Sequence, residues 1–122
     1  MTRFLSIALL ARFSAASLAQ DEARFVGTWV GAWGRGLAHK LVVEKVDGRN
    51  AIFLYRTGDN AKSEDLSRAR RNKGVIVNGV LHGKLASGAQ VTYTLSADGR
   101  SLTGHYVKDD RMSKAVLEKR QP

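Results

Sequence analysis

Val75-Ile76-Val77-Asn78-Gly79-Val80-Leu81-His82 sets an Asn-Gly pair between two short runs of mostly branched apolar residues. A two-residue type I′ turn needs positive φ at both central positions, which Asn and Gly supply most readily, so this stretch predicts a β-hairpin. Working outward, turn signals recur at short intervals: Gly34-Arg35-Gly36, Asp47-Gly48-Arg49-Asn50, Gly58-Asp59-Asn60, Ala86-Ser87-Gly88 and Asp98-Gly99. Between them lie segments rich in Val, Tyr, Trp, Leu and Thr, which predict strands at 25–33, 37–46, 50–57, 73–77, 80–85, 89–95, 101–107 and 112–119. Short strands separated by such turns indicate a sandwich or barrel rather than a βαβ sheet. Eight of them joined mostly by tight turns predict an all-β, antiparallel up-and-down meander. Closing it into a small barrel removes the edges that an open sheet must protect. Pro122 is the sole proline, so ladder bonding within the strands is unobstructed.

One connection differs. Residues 58–72 are polar and long for a hairpin loop. Ser63 as a cap, Glu64 and Asp65 in the first turn and Arg68, Arg70 and Arg71 in the last suit a helix dipole, and Glu64 with Arg68 forms an i,i+4 pair. A short helix at 63–71 is therefore one expectation, and a surface loop the other.

At the N-terminus, Met1-Thr2-Arg3 is followed by the almost wholly apolar stretch Phe4 to Leu10 and by small residues ending in Ser17-Leu18-Ala19. This pattern predicts a signal peptide over 1–19, cleaved before Gln20, although Arg12 sits awkwardly for it. The expected location is secreted or periplasmic. The apolar stretch is much too short for a transmembrane segment. The remainder, 20–122, is one expected β-barrel domain, large enough for a core without staples. Cysteine is absent, which excludes disulfides and thiolate metal sites. The net charge of +9 falls to +7 without Arg3 and Arg12, a balance that favours weak attraction to anionic surfaces.

Strand side chains alternate in direction, so parity sorts them into two faces. Phe25, Trp29 and Trp33 share one parity, as do Leu37, His39, Leu41 and Val43, then Phe53 and Tyr55, Val91, Tyr93 and Leu95, Leu102 and Tyr106, and Ala115 and Leu117. All seven aromatics beyond residue 19 can thus face one interior. The candidate cavity lining is Trp29, Trp33, His39, Phe53, Tyr55, Tyr93 and Tyr106. His39 and the three phenols carry polar tips, and each needs a partner, a water or a ligand, because burial unpaired costs ~1–3 kcal/mol. The opposite parity of the early strands is also apolar: Val26, Val30, Val42, Val46, Ile52 and Leu54. Such a patch marks a candidate interface with a protein partner or a second copy, centred on Val26, Val30, Val42, Ile52 and Leu54. Burial beneath residues 58–72 is the plainer alternative.

Gly27-Thr28-Trp29, opening an all-β meander, resembles the Gly-x-Trp signature of lipocalins. Leu102-Thr103-Gly104-His105-Tyr106 is similar to a Leu-Thr-Gly-x-Tyr pattern of avidin-type barrels. Both families belong to the calycins, and the chain looks most like their short secreted bacterial members. The resemblance implies a ligand-holding barrel with Trp29 plugging one end and a basic residue of the last strand, Arg120, stacked over it. The chain is shorter than most lipocalins and lacks the paired cysteines many of them have. The biotin-contacting set of avidins is not matched, so biotin is not carried over.

His39, His82 and His105 are the residues from which a three-histidine zinc site would be built, but parity separates them. No Gly-x-Ser-x-Gly, Ser-x-x-Lys or phosphate-cradling motif occurs, so no catalytic residue, cofactor or metal is expected. The basic run Arg68-Ala69-Arg70-Arg71-Asn72-Lys73 lacks the surface aromatics a nucleic-acid binder would stack on bases. Three readings follow. The first is a non-enzymatic exported barrel binding an apolar or aromatic small molecule. The second is a filled scaffold acting through its outer face, and the third an enzyme on an envelope metabolite.

Overall fold

Strand follows strand around a closed barrel in the computed structural model, which describes residues 22–121. The expected signal peptide, 1–19, lies outside the described residues. The order is β1 (Gly27–Trp33), β2 (Leu37–Asp47), β3 (Asn50–Thr57), α1 (Asp59–Lys62), β4 (Arg71–Val77), β5 (Val80–Lys84), β6 (Gln90–Leu95), β7 (Ser101–Lys108) and β8 (Arg111–Lys119). Each strand pairs antiparallel with the next, and β8 returns to β1 through Trp29↔Lys119 to Trp33↔Ala115. Closure leaves no strand of the barrel with an unpaired edge. Asn78 and Gly79 take φ of 51° and 75°, the left-handed pair that the β4–β5 hairpin requires. Among the described residues no helix is long and apolar enough to cross a membrane.

Alternation delivers the expected interior. Leu41, Val43, Phe53, Ile76, Leu81, Val91, Leu102 and Leu117 pack into one core with 0–1% exposure. One residue breaks the parity rule. The β2–β3 register shifts between Val43 and Lys45, and this bulge turns Val46 inward against the core instead of outward.

One end of the barrel is plugged. Phe25 and Trp29 are fully buried there, and Trp29 Nε1 donates to the Phe25 carbonyl at 2.9 Å. The cation over the indole is Lys119, with Nζ 5.3 Å from the ring centroid, and not Arg120 as the resemblance implied. Lys119 shares parity with Ala115 and Leu117, whereas Arg120 points outward to Glu64 at 3.0 and 3.1 Å. Gly27 makes the arrangement possible. It has φ of +143°, and a Cβ there would stand 2.8 Å from Lys119 Cε, on the route the lysine takes to the indole.

Of the two expectations for the long connection, the surface loop holds over 63–70 and the helix at 63–71 does not form. The connection's helix is a single turn, Asp59–Lys62, and Ser63 follows in extended conformation. The same polar residues build turns: Ser63 Oγ accepts from Asp65 N, and Asp65 Oδ1 accepts from Ser67 N. Tertiary partners also draw the charges away from one another. Glu64 binds Arg120 and approaches Lys40, while Arg71 reaches Glu44 at 2.8 Å. The segment lies over the outer faces of β2 and β3, where Lys40 Nζ donates to Ser63 O at 2.9 Å and Arg56 to Asp65 O. Leu54 is fully buried on this covered face, and Val30, Val42 and Ile52 are half-buried. Of the five proposed interface residues, Val26 alone is exposed.

Candidate functional site

Opposite the plug, the ends of β1, β3 and β7 bring Trp33, Tyr55 and Tyr106 to one level with their rings facing inward. Together with Leu37, Thr57, Leu85, Ser87 and Ser113 they line an open cavity of about 370 Å³. Bulky rings gather here because each strand's parity, set deeper in the core, carries its last inward residue to the mouth. Trp33 is the hub. Its ring lies 6.3 Å from Tyr55 and 6.0 Å from Tyr106, the latter edge-on.

The floor is formed by His39 and Tyr93. The His39 ring stacks on Trp33 at 4.9 Å and lies 4.6 Å from Tyr55. His39 Nδ1 is 2.8 Å from the Arg56 carbonyl, which can only accept, so Nδ1 carries the proton. Nε2 is then the acceptor, and the Tyr93 hydroxyl donates to it at 2.8 Å. Two of the four polar tips foreseen in the sequence therefore satisfy each other. Burial pushes the His39 pKa down from 6.5 to about 4, against the bond to the Arg56 carbonyl, so the imidazole is neutral near neutral pH. Burial also drives Tyr55 up to about 12, aided by the neighbouring Tyr106 phenol and opposed by hydrogen bonding from the Trp33 indole, which falls short of full hydrogen-bond geometry. The Tyr93 phenol is raised as well, first by burial and then by Tyr55.

The cavity lining carries no ionisable group other than phenols. Its chemistry is that of ring faces and hydrogen-bond donors around a neutral space, which suits binding.

Of the seven residues expected to line a cavity, Trp33, Tyr55 and Tyr106 do so, and His39 and Tyr93 sit directly beneath. Trp29 and Phe53 lie deeper, in the packed core. Thr57 and Ser113 were legible by parity with Tyr55 and Ala115. Leu85 was likewise legible by parity with Leu81, whereas Ser87 lies in the β5–β6 turn, where alternation gives no guide. His82 and His105 are exposed on the outer surface while His39 is inside, and among the described residues no group of three His, Asp or Glu side chains gathers. A second depression, of about 360 Å³, lies against β4–β6 and is lined by Lys73, His82, Lys84 and Gln90, with no aromatic residue.

No protein-family model and no curated protein matches the sequence. Among solved structures, a variant of the fluorescent protein UnaG is similar to 82% of this chain over 99% of its own, with 14% identity and a TM-score of 0.48. A likeness of that degree says nothing of ligand or activity.

Proposed function

We propose that this protein is an exported, calycin-like barrel that holds one small apolar or aromatic molecule in its mouth. The observation that carries the reading is the cavity of about 370 Å³ walled by Trp33, Tyr55 and Tyr106. Its size falls within the ~300–1,000 Å³ usual for ligand pockets. Below it the barrel is filled by its own side chains, so the mouth is where a ligand fits. The calycin reading is supported by the position of Gly27-Thr28-Trp29, whose indole closes the far end beneath Lys119.

The uncharged probe N-phenyl-1-naphthylamine is expected to bind at about one site per chain and to quench tryptophan emission, since Trp33 forms the wall. Absence of binding by this and other apolar probes, with both indoles shielded from soluble quenchers, would reject the reading. Export is tested separately. Protein recovered outside the cytoplasm is expected to begin near Gln20, and a chain retained inside with Met1 intact would refute it.

A further inference from the structure

The depression of about 360 Å³ on the outer wall of β4, β5 and β6 has a floor of backbone. Gly74 and Gly83 face each other across the β4–β5 ladder, and the Phe53 ring abuts both from inside the barrel. An added Cβ would stand 3.1 Å from that ring at Gly74 and closer still at Gly83. The core therefore fixes the floor. The same register sets Lys73 against Lys84 one step beyond the glycines, both exposed and on the outer face. Like charges directly opposite in a ladder destabilise the pairing. Other surface cations of the barrel are matched, Arg71 with Glu44 and Arg120 with Glu64. Lys73 and Lys84 have no acid within ion-pair distance among the described residues. Asp47 faces Asn50 across β2–β3, but no carboxylate lines the depression. Asn50, His82, Gln90 and Thr92 complete its rim.

We infer that this depression is a second binding site, separate from the mouth, for a sugar carrying a tetrahedral oxyanion ester. Lys73 and Lys84 hold the oxyanion, whose charge relieves their mutual repulsion. An oxyanion alone fills only a small part of the space, and the remaining rim suits hydroxyls. The amides of Asn50 and Gln90 and the Thr92 hydroxyl both donate and accept, as a sugar hydroxyl does. Val75 and the lysine stems offer the C–H surface on which the sugar ring rests. A nucleobase would need a Phe, Tyr or Trp face to stack on, and none lines the depression.

Glucose 6-phosphate, glucose 6-sulfate, glucose and inorganic phosphate, titrated calorimetrically at low salt, test the site. The phosphate ester is expected to bind about tenfold more tightly than either glucose or inorganic phosphate. The sulfate ester, with less charge for the two lysines, is expected to follow it. Added salt should weaken both. In a 15N-labelled sample, saturation with the phosphate ester is expected to move the amide signals of Gly74 and Gly83 and to leave that of Gly31 on β1 in place. Lys73→Gln and Lys84→Gln are each expected to weaken binding about fivefold, and Lys114→Gln on the outer face of β8 to leave it unchanged. Both lysine variants remove a like-charge contact and should be at least as stable as the parent, so their lost affinity reports the site. N-phenyl-1-naphthylamine at the mouth should not be displaced, so the two sites stand or fall separately. Equal affinity for the phosphate ester and inorganic phosphate, unmoved floor signals, or full affinity in both lysine variants overturns the inference. So does capture by phosphatidylglycerol vesicles with no response to either ester, which would make the lysine pair a membrane contact.

Discussion

Trp29→Ala is expected to lose about 3–5 kcal/mol of stability, the range for removing a large ring from a packed core. The indole is fully buried, and three features of the plugged end depend on it. Its N–H satisfies the Phe25 carbonyl, its face carries Lys119, and the segment ending in Phe25 folds back over it. Without the ring, Phe25 keeps its apolar contacts but loses the bond that fixes its backbone. Trp29→Phe, which keeps a ring and removes the N–H, is expected to lose less, about 1–2 kcal/mol. Urea unfolding followed by far-ultraviolet circular dichroism measures both. The midpoint should fall with little change of slope, because the unfolded chain exposes nearly the same surface. A Trp29→Ala midpoint equivalent to within about 1 kcal/mol of the parent would mean that the plug contributes little to the barrel.

The plug illustrates what a sequence of this kind discloses. Strand identity and order were readable because the turns are marked by Gly, Asn and Asp, and because period-two alternation is strong in β6 and β7. Most observed boundaries lie within one residue of the expected ones, and the remainder within two. Trp29 at a barrel end followed from the Gly-x-Trp resemblance. Its cation was misassigned to Arg120, although the parity of Ala115 and Leu117 already indicated Lys119. Val46 was misplaced because a bulge reverses every side chain beyond it, and neither Glu44 nor its neighbours announce one. The helix at 63–71 failed for an energetic reason. A local i,i+4 pair is worth only ~0.2–0.5 kcal/mol, and Glu64 and Arg71 find partners on the barrel wall instead. The mouth was legible as a set of inward aromatics, but its division into floor and wall depends on strand stagger.

Acidification is expected to weaken the fold between pH 6.5 and about 4 through His39. In the unfolded chain an ordinary imidazole takes up a proton near 6.5, whereas the buried ring resists until about 4. Across that window the unfolded state binds more protons than the native state, so stability falls as pH falls. The stability is complete above 6.5, and the interval corresponds to a loss of about 3 kcal/mol by pH 4. Other groups act in the same direction at the acid end. Glu64 is held below its usual range by Arg120, Asp65 by Ser67 and Asp98 by Ser96, so the stability that each carboxylate contributes is also lost as the pH falls. A paired comparison separates them from His39. His39→Leu alone would strand the Tyr93 hydroxyl, so His39→Leu with Tyr93→Phe is the cleaner variant, removing donor and acceptor together. It retains all three carboxylates. The double variant should be the less stable protein at pH 7.5, having lost the bonds to Tyr93 and to the Arg56 carbonyl, and should close the gap as the pH falls. Denaturant midpoints at pH 7.5, 6, 5 and 4.5 measure the gap, and its change is predicted to reach ~2 kcal/mol in the variant's favour over that range. A gap independent of pH would mean that His39 titrates alike in the folded and unfolded chains. The imidazole beneath the mouth would then take up its proton near 6.5 instead of about 4.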